Sequence, residues 1–202
     1  MQIESNFEFQ IKIVIIGDSG VGKTNFIFQF TEGKFSPLHV TTVGFDFKTK
    51  IIKLPKSKKS VQLQIYDTAG QERYMALNKS LFQKVQGIII MYDLTNRLSF
   101  ENFSIWFKAV NETMANKTVV LVGNKLDLAN EKRIVTEEEG EKLANENKLL
   151  FFESSSCTGE NVEEIFKIMA EKIYNRLMDE KSDNTNTKIN LNKKKNKKKN
   201  CC

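Results

Sequence analysis

A run rich in β-branched residues, Ile11 to Ile16, ends in Gly17-Asp18-Ser19-Gly20-Val21-Gly22-Lys23-Thr24. No other feature limits the fold so strongly. The octet fits G-x-x-x-x-G-K-[ST]. The run before it reads as a buried strand, and the residues after it (Phe26, Ile27, Phe30) have helical spacing. Strand, glycine turn and helix together form a phosphate cradle. Glycines let backbone N–H groups turn inward around phosphate oxygens. The helix N-terminus adds a partial positive charge. In such a loop Lys23 reaches the β- and γ-phosphates, and the Thr24 hydroxyl is a Mg²⁺ ligand. The motif alone leaves kinases, ATPases and GTPases open.

The remaining chain supports a parallel sheet. Phe45 to Leu54 and Val61 to Tyr66 alternate polar and apolar residues around Pro55-Lys-Ser-Lys-Lys, which predicts a hairpin. Gly87 to Tyr92, Thr118 to Gly123 and Leu149 to Glu153 are further strand candidates. Helical patterns are predicted to start near Ser99, after Thr136 with Glu139 three residues on, and after Asn161 with Glu164 at the third position. The expected fold is α/β: six strands, mostly parallel, one antiparallel at the edge, helices on both faces. The domain is expected over 1–178, and 179–202 as a disordered tail, because the composition there shifts to Ser, Asp, Asn, Thr and Lys.

Two later motifs narrow the chemistry. Asn124-Lys125-Leu126-Asp127 follows the Thr118 strand, where an open parallel sheet binds ligands. A carboxylate at 127 can accept both N1–H and the exocyclic amine of guanine. Adenine offers no such pair, and a buried carboxylate left unpaired rejects it. Between the two motifs lies Asp67-Thr-Ala-Gly70-Gln71-Glu72. Asp67 is placed to hold Mg²⁺, through water. Gly70 lets a backbone N–H approach the γ-phosphate, and Gln71 stands where an attacking water is oriented. His39, the single histidine, is expected to be a bystander, because this hydrolysis needs no histidine.

These residues resemble the Ras superfamily of small GTPases, and the Rab family most closely. The resemblance is carried by residues 17–24, by Thr42-Val-Gly-Phe-Asp-Phe47, by Tyr66-Asp-Thr-Ala-Gly-Gln-Glu-Arg-Tyr74, by Tyr92-Asp-Leu-Thr95 and by terminal Cys201-Cys202. It implies a monomeric switch, GTP-bound when active and GDP-bound when inactive, that hydrolyses GTP with Mg²⁺ and regulates vesicle traffic. It implies that Thr42 ligates Mg²⁺ and meets the γ-phosphate, and that Phe35 packs edge-on against guanine. Ser155, Ser156 and Cys157 align with a Ser-Ala-Lys triplet that closes over the base. Cys157 for lysine removes aliphatic packing there, though the Ser156 N–H is expected to reach the guanine oxygen. Tyr66 replaces a tryptophan, and residues 75–86 diverge from the family's second switch. Implied partners are exchange factors, GTPase-activating proteins, effectors and an escort or GDP-dissociation inhibitor. Residues 33–44 contain no arginine, so the catalytic arginine is expected from a partner and intrinsic turnover is expected to be slow. Arg73 is read as a surface residue of the second switch.

Charge separates body from tail. Of 31 basic residues, seven lysines lie in 188–202, where there is no acid, leaving 24 against 25 acids in 1–187, a net of −1. A polybasic end can mark nuclear targeting, nucleic-acid binding, an inert arm or a membrane anchor. No aromatic interleaves the lysines, which removes base stacking, and the neutral body argues against nucleic acid. No apolar run is long enough to cross a membrane, the first ten residues carry Glu4 and Glu8, and three cysteines make no disulfide framework, so the expected compartment is cytosolic. The terminal cysteines form no C-a-a-X box. By the Rab resemblance both carry geranylgeranyl groups and place the chain on the cytoplasmic face of an intracellular or plasma membrane. Competing readings are a nucleotide-dependent binding module that scarcely hydrolyses GTP, and a nucleic-acid-binding protein. The intact Gln71 argues against the first.

Overall fold

A computed structural model describes residues 7–37, 45–68, 81–111, 114 and 116–197. Six strands form one sheet: β1 (Phe9–Ile16), β2 (Phe45–Lys53), β3 (Ser60–Thr68), β4 (Gly87–Asp93), β5 (Thr118–Asn124) and β6 (Leu150–Ser154). Their order is β2-β3-β1-β4-β5-β6. Only the β2–β3 pair is antiparallel, so the expected mostly parallel sheet with one antiparallel edge strand is what forms.

The residue pattern explains the layering. In β1, Ile11, Ile13 and Ile15 enter one core while Val14 and Ile16 enter the other. β4 divides likewise, Ile89 and Met91 against Ile88, Ile90 and Tyr92, and so does β5, Val120 and Val122 against Val119 and Leu121. Successive side chains point to opposite faces, so strands covered on both sides must be apolar throughout. β3 is fully buried on one face, at Val61, Leu63 and Ile65, and half-buried on the other, at Gln62, Gln64 and Tyr66, where Tyr66 packs on the second core.

The first core is closed by α1 (Lys23–Glu32) and α6 (Val162–Lys197). Phe166 stacks on Phe30 at 4.0 Å and tilts against Phe26 at 5.3 Å. The second is closed by α2 (Arg97–Glu101), α3 (Phe103–Asn111) and α5 (Glu137–Glu146), with buried Phe82 in the helical residues 81–84. A short α4 (Ala129–Lys132) links β5 to α5.

Local signals held unevenly. Thr136 and Glu139 form the expected capping box. The helix expected near Ser99 starts at Arg97, because Asn96 caps it by accepting from the Leu98 and Ser99 N–H groups. The helix expected after Asn161 starts at Val162, with Glu164 third; Asn161 itself is left-handed (φ 60°) and its amide donates to the Glu153 carbonyl at 2.8 Å. The backbone of α6 runs on past Asp179 to Lys197. No proline or glycine lies in that stretch to stop a helix. Among the described residues, packing into the core ends at Leu177.

Candidate functional site

The loop after β1 turns onto one face of the sheet into α1, and the loop after the neighbouring β4 leads to α2 and α3 on the other. A crevice opens at such a switch point, beyond the carboxyl ends of the strands. Here it is a cavity of about 480 Å³, lined by Gly20, Gly22, Asn25, Phe35, Asn124, Lys125, Asp127, Ser156 and Cys157 among others. Segments more than a hundred residues apart in the chain therefore meet there.

The cradle is tightly specified. Gly22 has φ 101°, and a Cβ there would run into the Asn124 side-chain amide. Gly17 has φ 141°, and a Cβ there would strike the Met91 carbonyl. Both positions require glycine for conformation and for space. Lys23 is buried, and its Nζ donates to the carbonyls of Gly17 (2.9 Å) and Asp18 (2.8 Å). Burial lowers its pKa to about 8, against the opposing pull of Asp67 and Asp18. The ammonium thus sits folded back against its own loop, with desolvation unmatched by charge, as suits a group awaiting an anion. The Thr24 hydroxyl donates to Asp67 Oδ2 at 2.7 Å, bringing two hard oxygens from α1 and β3 together.

The base end is wired separately. The Asn124 amide donates to the Val21 carbonyl at 2.8 Å, and its Oδ1 accepts from the Ser156 N–H and hydroxyl, each at 3.1 Å. Asn124 therefore ties the phosphate loop to the 154–158 loop. The Ser156 N–H expected to face the base oxygen is bonded to Asn124 here. Asp127 Oδ1 accepts from the Ser155 hydroxyl at 2.6 Å, and Ser155 Oγ in turn accepts from the N–H groups of Cys157 and Thr158. Cys157 is an exposed free thiol on the cavity lining. Phe35 also lines the cavity and is 42% exposed.

Four residues stand out that motif reading left without a role. Asp93 pairs with Lys125 at 2.7 Å and accepts from Thr95 N–H, holding the left-handed Lys125 (φ 71°) in place. Asn25 clasps the Ser36 backbone in both directions (2.8 and 3.1 Å), which fixes Phe35 over the cavity. Asn102 and Trp106 each donate to the Asp18 carboxylate at 2.7 Å. Tyr92-Asp-Leu-Thr95 was the only hint, for Asp93; the others have no sequence signal, since their partners lie far along the chain. Thr42, Gly70, Gln71, His39, Arg73, Cys201 and Cys202 lie outside the described residues.

A P-loop at the switch point of a parallel sheet, with Asn124, Lys125 and Asp127 lining the same cavity, defines a P-loop nucleotide-binding protein. A sequence model of the Ras family matches residues 12–175. The chain is 40% identical over 204 residues to the Ras-related protein SEC4 of Saccharomyces cerevisiae, covering 98% of this chain and 93% of that one. It is 40% identical over 176 residues to the Ras-related protein RAB1BV of Beta vulgaris (87% and 81%). It is 39% identical over 188 residues to the Ras-related protein Rab-10 of Diplobatis ommata (92% of each). The chain belongs to the Ras family, as a Rab small GTPase: a GTP hydrolase that acts as a switch in vesicle traffic.

Proposed function

We propose the following division of labour among its residues. Gly17, Asp18, Ser19, Gly20, Val21, Gly22, Lys23 and Thr24 bind the phosphates, with Lys23 turning from its own carbonyls to the β- and γ-oxygens. Asn124, Lys125, Asp127, Ser155, Ser156 and Cys157 enclose the base, with Phe35 at its edge. The observation that carries this reading is the Thr24–Asp67 pair at 2.7 Å beside a buried lysine. Two oxygens are a partial set, and Mg²⁺ binds through one or two protein oxygens plus phosphate and water. Thr24, Thr42 and Asp67 would hold it, and when bound it neutralises developing phosphate charge.

Gln71 orients the attacking water, while Thr42 and the Gly70 N–H grip the γ-phosphate. Loss of that phosphate releases both loops, so the output is a changed surface. Residues 33–44 carry no arginine, and on this reading the chain turns over slowly until a GTPase-activating partner supplies one. Exchange factors, effectors and an escort or GDP-dissociation inhibitor complete the cycle of a monomer.

The end of the chain anchors it. Segment 179–202, with seven lysines in 188–202, acts as a polybasic arm beyond the core-packed part of α6. Geranylgeranyl groups on Cys201 and Cys202, together with the lysines, supply the two signals that stable anchoring takes. The chain then works on the cytoplasmic face of an intracellular or plasma membrane, with a cytosolic pool on its escort. Among the described residues no helix is long and apolar enough to cross a membrane.

Single-turnover hydrolysis by the full chain is the test. GTP should be cleaved over minutes to hours with Mg²⁺, and at least tenfold more slowly after Gln71→Leu. Equal use of ATP and GTP would remove the reading.

A further inference from the structure

The far end of the sheet carries a second cavity, of about 370 Å³, lined by Lys117, Thr118, Val119, Lys148, Leu149, Leu150, Lys172 and Arg176. It lies at the N-terminal ends of β5 and β6, against α6. The seven residues of β5 separate it from Asn124, roughly 20 Å by strand rise. Four of its eight lining residues are cationic and none is acidic.

Its cations differ in how they are held. Arg176 is fixed: its guanidinium donates to Thr118 Oγ1 (3.3 Å) and to the Gln86 carbonyl (3.4 Å). Its Nε is buried with no hydrogen-bond partner, and its nearest carboxylate, Glu180, stands off at 3.9 Å. The Lys117 Nζ donates to the Val85 carbonyl at 2.8 Å, a neutral acceptor. Neither Lys148 nor Lys172 makes an ion pair among the described residues. Burial lowers the pKa of Lys117 and of Arg176, and Arg176 lowers that of Lys117 further. This is a concave site with positive charge in excess over a floor of Val119, Leu149 and Leu150. Its volume exceeds what a bare oxyanion fills and falls within the range of small-molecule sites.

Placement supplies the ligand. β6 runs toward the nucleotide end and α6 runs back, so α6 brings the chain to the cavity end before the lysine-rich arm departs. Lys172 and Arg176 lie on the last turns of α6 that pack on the core. The arm therefore leaves the core from the cavity end of the sheet.

We propose that the cavity binds the phosphorylated headgroup of an anionic lipid, an inositol phosphate in chemical class, and so sets the face of the domain turned to the membrane. Arg176 and Lys117 form the fixed end of the site, Lys148 and Lys172 close on the phosphates, and the apolar floor meets the carbon ring. The membrane half of this proposal rests on the anchoring reading above; the headgroup half does not.

The experiment uses the full chain loaded with GDP, so that the phosphate loop is filled. Soluble inositol 1,4,5-trisphosphate is titrated while backbone amide shifts are followed. The expected response lies at 117–119 and 148–150. The exposed pair Lys148→Gln/Lys172→Gln should weaken that binding at least tenfold and leave GDP release unchanged. Replacing Lys193, Lys194 and Lys195 by glutamine should leave it within twofold. Shifts confined to the arm, or binding indifferent to the Lys148/Lys172 pair, overturn the site. Inorganic phosphate binding as tightly would make the source free phosphate and overturn the lipid assignment. Vesicles of phosphatidylcholine with phosphatidylinositol bisphosphate form the membrane arm. Cleft-dependent recruitment supports the orientation, and recruitment equal to phosphatidylserine vesicles of matched charge overturns it. An absence of prenyl transfer to Cys201 and Cys202 would sink the anchor alone, leaving the soluble titration to stand.

Discussion

Lys23 shows how one residue couples charge to pH. Its pKa is lowered to about 8 by burial. Phosphate oxygens around the ammonium favour its charged form and raise the pKa in the complex. Above pH 8 binding must therefore take up a proton, so GDP affinity should be greatest below pH 8 and fall as pH rises through it. Fold stability carries the opposite sign. Between pH 8 and the ordinary lysine value the unfolded chain binds more protons, so the Lys23 contribution to stability rises with pH. Titrating GDP at pH 7, 8 and 9 checks the first trend; constant affinity would show that Lys23 is not the phosphate ligand. Asp127 gives a second residue-scale prediction. Asp127→Asn keeps the shape but replaces one acceptor with a donor, losing a charge-assisted contact, which predicts roughly 10- to 100-fold weaker GTP binding. Xanthine carries a carbonyl where guanine has its amine, so XTP binding should improve in the same variant. Competition between the two nucleotides decides it. These two residues were legible because their motifs are contiguous. Asp18, Asn25, Asp93 and Asn124 show the limit of that legibility. Residue type and position were visible for Asp18 and Asn124, but their bonds cross 84 to 103 residues of chain. No local pattern encodes which side chain waits at the other end.

At the scale of elements, all six strands were readable, because burial on two faces imposes apolar runs and burial on one imposes alternation. Helix starts after Thr136 and Asn161 were readable from local acid patterns, whereas the helix expected near Ser99 starts two residues earlier, at Arg97, where Asn96 caps it. The pairing of α3 with the phosphate loop was invisible, and it has a consequence. Trp106 and Asn102 grip Asp18 from the opposite face of the sheet, so a shift of α3 reaches the nucleotide cradle directly. Trp106→Phe removes one donor and leaves that carboxylate half satisfied, at a cost of about 1.5–3 kcal/mol. GDP should dissociate faster, by roughly tenfold or more, with the secondary structure intact by circular dichroism. Trp106 is also the single tryptophan of the chain, so its emission should change when nucleotide is removed. A silent emission would mean the cradle does not move with its ligand. The α1–α6 contact makes a separate prediction. Phe166→Ala would empty the space between Phe26 and Phe30 and cost about 3–5 kcal/mol of folding stability. Denaturant midpoints with GDP bound measure that loss.

For the whole molecule, the decisive property is the separation of charge. A body of net −1 has little sequence-independent pull toward any anionic surface, while seven lysines within 188–202 have much. Lysines near an anionic leaflet contribute about 1 kcal/mol each, and that attraction fades beyond a Debye length of about 8–10 Å at physiological salt. Lipid chains and lysines would thus anchor by different physics, one indifferent to salt and one steeply dependent on it. Replacing Lys193, Lys194 and Lys195 by glutamine should reduce binding of the unlipidated chain to phosphatidylserine vesicles by at least tenfold at low salt. The difference from wild type should vanish near 0.5 M salt. GTP binding should be untouched in both, because Leu177 is the last core-packed residue and the nucleotide cavity lies at the opposite end of the sheet. If vesicle binding instead kept its salt dependence after the replacement, the attraction would have to come from the body. The Lys117–Arg176 cavity and the exposed lysines of the β2–β3 hairpin (Lys56, Lys58 and Lys59) are then the positive groups to replace next.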